Sequence, residues 1–553
     1  MLRRTTITIA LVGIAGMSLA LANANASGRD TPQALAEAAY IAMGLGTHSS
    51  KETDQLRTLI IKGSMKQWDP GGSESVADLL KPDLGTAAFI NTWDRTRDSW
   101  RTEWVRPGFL GGTRNYTEVY SPAGGYVTGV DLNRSGVDAI SGLPRRTIQN
   151  GQSPPIHTMS GVRLRALLRE QARNQIVILM HEHPERLSSL PDQSSSGKSY
   201  PAVQYQDDNG TFLVMFDPAT HLPAVVRTRD FDAHMGDANY DTTYSDWRSV
   251  GSNDRFKHPF RIAYTLNGVS IFDVTVEQVR INESLPADTF AAPPQLEGQA
   301  PKPAAAEKTP FQWIIRRLAS GFYLDSDALY MDESSTLALT DVGPNISLVT
   351  GGSHNALIVA TTDSLVAFDA PGDDGLSNWI IDAARQKYPG KPFRYVVLTH
   401  HHLDHAGGIR AYATQGATIV VGKGNGNYFR KVLAAPQTLN VYGIKPITSR
   451  VLEVDGKWSE TVGGRVIEAY SFDNPHATGY LIPYIPDAKM AFQSDLWVMG
   501  MQRVPADSAL APFVYGAAVA IVNGLQKAGL TPEKLAGGHG VVGDYADLVK
   551  YVE

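Results

Sequence analysis

Four side chains that can bind a metal ion directly follow an apolar run in the second half of the chain. Residues 395–398 are apolar and predict a buried strand, and His400, His402, Asp404 and His405 come just after it. Burying so many polar groups without partners costs several kcal/mol for each group. A bound metal ion is the simplest way to satisfy them, so this segment predicts a metal site at the end of a strand.

Three polar residues further along the chain also stand in apolar surroundings. His476 precedes a predicted strand, Asp495 ends another, and His539 lies in the segment Gly-Gly-His-Gly. Zinc usually takes about four ligands, so a pair of histidines or one Asp–His pair is too few. These three residues are therefore predicted to join the first cluster in the folded chain.

Taken in order, the motif His-x-His-x-Asp-His, a lone His, an Asp after a strand and a final Gly-His-Gly resemble the signature of the metallo-β-lactamase fold superfamily. The resemblance covers roughly residues 340–551 and implies an α/β domain with four layers in the order αββα. It also implies two metal positions that share one bridging side chain. The first position would be held by His400, His402 and His476, the second by Asp404, His405 and His539, and the bridge would be Asp495.

Three residues near this motif are interpreted separately. Asp369 follows an early predicted strand and matches a superfamily aspartate that would hydrogen-bond a ligand and orient it, although capping its strand is an equal alternative. His401 falls at the variable position of the motif and is expected to face away from the metals. His354 is expected to be a loop residue outside the site, because the ligand set is complete without it.

The resemblance implies a dinuclear zinc-dependent hydrolase in which a metal-bound hydroxide attacks the carbonyl group of an ester, thioester or lactone. Water bound to zinc has a pKa near about 7, and Asp404 would ligate one metal and orient the hydroxide. Iron or manganese would also suit this set of nitrogen and oxygen ligands.

Three other functions stay open. β-Lactam hydrolysis is disfavoured, because one group of β-lactamases places a Cys at the position of Asp495 and another has no bridging side chain there. A mononuclear iron enzyme similar to the persulfide dioxygenases would use much of the same motif. A non-catalytic carrier of an apolar ligand would make the metal structural, whereas structural zinc sites usually hold one ion with four ligands.

The composition describes an ordinary globular protein of several domains. The chain has 553 residues, of which 42% are hydrophobic and 19% charged. Its net charge of −6 gives no reason to expect nucleic acid or an anionic membrane as a partner. The expected partner is a small-molecule substrate, partly apolar to match the aromatic and methionine side chains within residues 497–515. With no cysteine, the chain has neither disulfides nor thiolate ligands.

Residues 1–26 are predicted to be a cleavable signal peptide. Arg3 and Arg4 precede the apolar residues 7–21, and two Ala-Asn-Ala segments then offer a cleavage site. An uncleaved membrane anchor is the alternative, but the apolar run is short for a spanning helix. The protein is therefore expected to be periplasmic or secreted, without a stable membrane anchor.

Residues 27–294 are predicted to form an α+β domain with a curved antiparallel sheet. A helix from Thr31 to about residue 43 precedes a series of strands with period-two patterning, interrupted by one helix over residues 161–180. Segments within residues 212–290 resemble the curved-sheet domains of periplasmic lipoprotein carriers, which implies that the concave face holds an apolar ligand. The alternative is that this domain only supports the catalytic one.

A linker at residues 295–312, rich in Pro, Ala and charge, is predicted to precede the catalytic domain at residues 313–553. The substrate pocket is expected between the loops at residues 496–515 and 425–442. Its apolar wall, or alternatively ordinary core, would comprise Trp497, Met499, Met501, Phe513 and Tyr515.

Overall fold

The computed structural model describes residues 31–46, 56–107, 113–129, 156–159, 161–251, 254–296, 337–351, 354–440, 442–499 and 511–553. The predicted signal peptide, nearly all of the predicted linker and Met501 lie outside these residues. Among the described residues, no helix has the length and apolar character needed to cross a lipid bilayer.

The N-terminal region is built on one large antiparallel sheet. Its strands are β1 (Thr58–Gln67), β2 (Thr86–Asp94), β3 (Ser99–Pro107), β4 (Thr113–Ser121), β5 (Gly124–Gly129), β6 (Ile156–Thr158), β7 (Leu187–Ser189), β10 (Ala202–Asp207), β11 (Gly210–Phe216), β12 (Pro223–Asp232), β13 (Gly236–Val250), β14 (Phe256–Leu266) and β15 (Val269–Ile281), while β8 (Gln193–Ser195) and β9 (Lys198–Tyr200) form a separate hairpin. The thirteen strands follow the order β6-β5-β4-β3-β2-β1-β15-β14-β13-β12-β11-β10-β7. This confirms the predicted sheet-rich domain.

Three helices pack on this sheet through a shared apolar core: α1 (Pro32–Ala42), α2 (Gly161–Asn174) and α3 (Ile176–Glu182). The start of α1 is as predicted, because the side chain of Thr31 accepts a hydrogen bond from Ala34 N at 3.1 Å. The single helix predicted over residues 161–180 is wrong. Gln175 leaves helical geometry, at φ −105° and ψ 10°, and α3, which begins after this break, buries Ile176, Val177 and Ile178 in the shared core.

The C-terminal region contains two sheets. The first has β16 (Ala338–Gly343), β17 (Ile346–Thr350), β18 (Ala356–Ala360), β19 (Leu365–Phe368), β20 (Phe393–Val397), β21 (Thr418–Gly422) and β22 (Val451–Val454) in sequence order. The second has β23 (Lys457–Val462), β24 (Arg465–Ser471), β25 (Leu481–Ile485), β26 (Met490–Gln493), β27 (Lys534–Gly537) and β28 (Val542–Asp544). The helices are α4 (Asp374–Lys387), α5 (Leu403–Ala406), α6 (Ile409–Thr414), α7 (Gly426–Ala434), α8 (Ala511–Lys527) and α9 (Tyr545–Val552).

Alternation along the strands explains the layering. In β18, Leu357 and Val359 belong to the core between the two sheets, while Ala356 and Ile358 face the helices on the outer side. The core on that outer side includes residues of α4, α6 and α7, and another core packs α8 and α9 on the second sheet. The result is the predicted αββα arrangement, in which both faces of each sheet are covered.

Candidate metal centre

The candidate ligands collect where strands of the two sheets end. In the first sheet β19 and β20 are parallel, and Asp369 and His400 follow their carboxyl ends. In the second sheet β26 and β27 are parallel, and Asp495 and His539 follow theirs. Parallel strands bring their carboxyl ends to one edge of a sheet, so residues far apart in sequence meet there.

The first group consists of the three predicted histidines of one metal position together with Asp495. Each residue of the set His400, His402, His476 and Asp495 offers a ligand atom, and these atoms all lie within 4.8 Å of one another. The Nε2 atom of His476 lies 3.1 Å from His400 Nε2 and 3.0 Å from Asp495 Oδ2. This is the spacing expected when several ligands surround one ion.

The second group lies on the other side of the same carboxylate. Asp495 Oδ1 is 2.7 Å from His405 Nε2 and 2.8 Å from His539 Nε2, and Asp404 Oδ2 is 3.9 Å from His405 Nε2. The two carboxylate oxygens of Asp495 therefore face different groups: Oδ2 faces the first group and Oδ1 faces the second. The seven residues selected from the sequence are brought together, with Asp495 in the middle.

His354 also belongs to the second group, and the expectation that it lies outside the site is wrong. It sits in a loop, but it is only 4% exposed, and with His405 and His539 it forms a further set that could hold a metal ion. Its Nε2 atom lies 3.0 Å from Asp404 Oδ2. The next residue, Asn355, donates from Nδ2 to Gly537 O and Gly540 O, which pins this loop to that of His539. The sequence signal was a His-Asn pair directly before a buried strand.

Asp369 is placed to orient a ligand. Its Oδ2 atom accepts a hydrogen bond from His405 Nδ1 at 3.0 Å, and its Oδ1 atom accepts one from Thr399 N at 2.7 Å. Asp369 is fully buried and has a left-handed backbone, with φ +62°, a conformation that costs energy for a residue other than glycine. Of the two roles considered for Asp369, this geometry favours orientation of His405.

His401 lies outside both groups. Its ring is buried, and its Nε2 atom is 3.5 Å from Ser73 Oγ in the N-terminal domain. The pair His181 and His183, in the segment His-Glu-His-Pro, is also remote from the centre. His181 is partly exposed, stacks on Tyr40 and pairs with Glu37 at 2.8 Å.

Burial and neighbouring charges set the protonation of the cluster. Burial is the main cause that lowers the pKa of His402 to about 4, and the neighbouring His476 is the second. Burial also holds the pKa of His400 well below its usual value. Burial opposes ionisation of Asp495, but His405 and His539 outweigh it and hold the pKa of Asp495 well below its usual value. His400 and His402 therefore favour the neutral imidazole and Asp495 the ionised carboxylate, the forms in which these side chains bind metals.

The donor set fits a metal centre. Imidazole nitrogens and carboxylate oxygens crowd into a buried space, and His405 Nε2, which faces Asp495, has no hydrogen-bond partner of good geometry among the residues the structure describes. Buried polar groups normally find partners, and ions would supply them for the inward-facing atoms of this cluster.

The predicted apolar wall is divided between surface and core. Phe513 is 39% exposed and its ring centre lies 6.2 Å from that of His476, and Tyr515 is 49% exposed. Met499 is buried in the core beneath α8 and α9, and Trp497 packs on Tyr551. Only Phe513 and Tyr515 remain candidates for contact with a substrate among the described members of the wall.

The segment at residues 425–442, expected to be a loop, contains α7 and contacts the N-terminal domain. Tyr428 Oη lies 2.8 Å from His234 Nδ1, and Thr438 N donates to Asp237 Oδ2 at 2.9 Å. Part of the loop expected to line the substrate pocket therefore forms the boundary between the domains.

A match to a protein-family model agrees with the architecture of the C-terminal region. Residues 339–539 match the family model described as the metallo-beta-lactamase superfamily. No curated protein sequence matches the chain.

Similar solved structures include a metallo-beta-lactamase from Pontibacter korlensis, at 19% identity and a TM-score of 0.30 over 39% of this chain and 97% of that one. A stereoselective inverting sec-alkylsulfatase from Pseudomonas sp. has 19% identity and a TM-score of 0.30 over 39% of this chain and 40% of that one. A metallo-beta-lactamase from Hirschia baltica has 14% identity and a TM-score of 0.28 over 39% and 96%.

Proposed function

From the membership of the C-terminal domain in the metallo-β-lactamase superfamily, we propose that this protein is a dinuclear zinc-dependent hydrolase acting on the carbonyl group of an ester, thioester or lactone. The observation that carries the proposal is the position of Asp495. Its Oδ2 atom is 3.0 Å from His476 Nε2 and its Oδ1 atom is 2.8 Å from His539 Nε2. A carboxylate shared in this way suits two ions rather than one closed structural site.

Two zinc ions, when bound, would supply hydroxide near neutral pH and polarise the substrate carbonyl. His400, His402 and His476 would hold one ion, and Asp404, His405 and His539 the other, with His354 available beside them. The Asp404 side chain is 31% exposed, about twice as exposed as the 15% of Asp495, so it is the carboxylate that water and substrate reach. Asp404 would accept a hydrogen bond from the attacking water and fix its direction.

The activity test compares wild type with Asp404→Ala on an ester, a thioester, a lactone and a β-lactam. The control is Asp487→Ala, because Asp487 is an exposed carboxylate that pairs with Arg465 and belongs to neither group of candidate ligands. Hydrolysis of one carbonyl class by wild type and by the control, with loss in Asp404→Ala and after chelation, supports the proposal. A zinc-loaded wild type that is inactive on every class contradicts it.

Export is part of the same proposal, and it rests on the arginines, apolar run and Ala-Asn-Ala segments within residues 1–26. Expression in a bacterium followed by N-terminal sequencing of the periplasmic fraction tests it. A mature chain that begins near residue 27 is expected, and an uncleaved chain in the membrane fraction contradicts it.

A second candidate function, binding of an apolar molecule by the N-terminal domain, is favoured by a cavity of about 250 Å³. Protein interiors are close-packed, so an apolar space of this size is unusual unless something fills it. Apolar side chains dominate its lining, including Leu59, Phe89 and Ile178, while the buried Arg173 and the partly buried Glu170, which pair with each other, add a polar contact. Displacement of a bound fluorescent fatty acid tests this function. Ile178→Trp would fill part of the cavity and is expected to weaken fatty-acid binding. Unchanged binding in Ile178→Trp counts against the function.

A further inference from the structure

A short segment of the N-terminal domain reaches the first metal group. The segment comprises residues 69–74, between β1 and β2, and we refer to it as the clamp segment. His402 Nε2 donates a hydrogen bond to Ser73 O at 2.8 Å, and Thr478 N donates one to Glu74 O at 2.8 Å. Thr478 is two residues after His476, so two consecutive carbonyls hold the two loops that carry His402 and His476.

The geometry of the clamp segment allows this double contact. Ser73 has an extended backbone, with φ −69° and ψ 151°, and successive carbonyls of extended chain point to opposite sides. Ser73 is fully buried, so its carbonyl would lack a partner if His402 were not there.

The segment is held in place from its own domain. Asp69 Oδ1 accepts a hydrogen bond from Gly71 N at 2.9 Å, which shapes the turn at Pro70–Gly72. Glu74 N donates to Lys81 O at 2.7 Å. The carbonyls of the clamp segment are thus presented by a fixed turn.

The hydrogen bond to Ser73 decides which nitrogen of His402 can ligate. A carbonyl oxygen only accepts, so His402 Nε2 carries the proton. In a neutral imidazole the other nitrogen then holds the lone pair. The ligand atom of His402 is therefore Nδ1.

The two domains also dock at a second place, the turn between β12 and β13. Arg410 donates to Ala233 O, and Asp237 N donates to Pro436 O at 2.8 Å. Gly236 in this turn approaches the catalytic domain so closely that a Cβ atom would lie 2.3 Å from Pro436 O. The relative position of the domains is therefore set by specific contacts at two sites.

We propose that the N-terminal domain completes the first metal position: the clamp segment selects the Nε2–H tautomer of His402 and holds the loop of His476, so zinc affinity there depends on domain docking. This inference rests on the proposed dinuclear function. Partners that orient a ligating histidine typically change metal affinity about 10-fold to 100-fold when they are lost. Ser73 and Glu74 are positioning residues that act through their backbone.

Zinc titration of the metal-free full-length chain tests the proposal without any substrate. Asp69→Ala removes the acceptor that shapes the turn, and Asp69→Asn keeps an oxygen at that position. About tenfold weaker binding of one zinc ion is expected in Asp69→Ala, with recovery in Asp69→Asn. Equal affinities in wild type and Asp69→Ala overturn the proposal.

A matched pair of glycine variants tests the docking contact. Gly236→Ala and Gly268→Ala both place a side chain at positive φ, +71° and +84°, but at Gly268 no atom lies within 4 Å of the new Cβ. Both carry backbone strain. Only Gly236→Ala is expected to weaken the binding of one zinc ion. Equal zinc affinities in the two variants count against a role of domain docking in zinc binding.

The tautomer of His402 can be read directly by NMR of ¹⁵N-histidine-labelled full-length protein, with His402→Gln for assignment. A proton on Nε2 is expected, and a proton on Nδ1 overturns the proposal whatever the variants do. If wild type fails to bind two zinc ions, the proposed function fails. If it binds two and Asp69→Ala binds both equally well, only the clamp fails.

Discussion

Asp369 Oδ2 and His405 Nδ1 are 3.0 Å apart, and both side chains are fully buried. The carboxylate holds the proton of His405 on Nδ1, so Nε2 faces Asp495 and the second metal group. Thr399 secures the carboxylate from the other side through its backbone N–H, at 2.7 Å. Asp369 thus does for His405 what the clamp segment does for His402.

Replacing Asp369 should weaken zinc binding at the second metal position. Asp369→Ala removes the acceptor that fixes the His405 ring, and zinc affinity at one position is expected to fall about 10-fold to 100-fold. Competition with a chromophoric chelator measures this. Asp487→Ala, at an exposed carboxylate, is the control and should match wild type. Unchanged affinity in Asp369→Ala would show that the hydrogen bond only caps the strand.

His354→Ala should reduce zinc occupancy at the second position, because His354 contacts Asp404 at 3.0 Å and lies in a set with His405 and His539. Metal analysis after dialysis against limiting zinc measures the occupancy. His181→Ala provides a control histidine, since His181 pairs with Glu37 on the surface. Full occupancy in both variants would reduce His354 to a packing role.

Asp374 predicts a pH-dependent contribution to stability. It is fully buried, and burial raises its pKa to about 6, an effect that the charge of Arg410 opposes. The unfolded value is near about 4, so its stabilising contribution is complete below about pH 4 and is lost as pH rises through about 6. Asp374→Asn cannot ionise and should gain stability relative to wild type as pH rises.

Urea unfolding of wild type and Asp374→Asn at about pH 5 and about pH 7.5 measures this difference. Asn keeps an oxygen that can accept the hydrogen bond from Asn440 Nδ2. Metal-free chains should be used, so that titration of the metal ligands is common to both proteins. A free-energy difference that is the same at both pH values would contradict the assignment.

Phe513 should contribute to substrate binding. Its exposed ring lies 6.2 Å from His476, so Phe513→Ala should raise KM several-fold for a partly apolar substrate while leaving kcat nearly unchanged. Val466→Ala, at another exposed apolar residue (38%), is the control, because Val466 lies in β24 rather than in α8. Steady-state kinetics measure KM and kcat for both variants. A fall in kcat with KM unchanged would contradict a role of Phe513 in substrate binding.

The sequence identified the candidate ligands that the structure brings together but not all of their surroundings. His400, His402 and Asp495 could be found because charged and polar side chains in apolar runs are costly without partners. The antiparallel sheet could be predicted from period-two patterning, whereas the αββα layers were implied by the resemblance carried by the ordered ligand motif. Ser73 could not be found, because it acts through a backbone carbonyl that every residue carries.

The two errors have a similar origin. The packing of His354 against His539 is a tertiary contact that spacing along the chain does not reveal. The apolar periodicity of residues 161–180 continues across Gln175, so the sequence gives no sign of the break there. Local patterns predict elements well, but the place where an element breaks also depends on the core around it.

The central claim is that Asp495 is shared by two metal ions in a hydrolase. Native mass spectrometry of zinc-reconstituted wild type and Asp495→Ala tests it most directly. Two zinc ions per wild-type chain are expected, with fewer bound in Asp495→Ala and with carbonyl hydrolysis lost in parallel. A wild-type chain that binds a single iron ion and consumes oxygen, or that holds one zinc ion without hydrolytic activity, would contradict the claim.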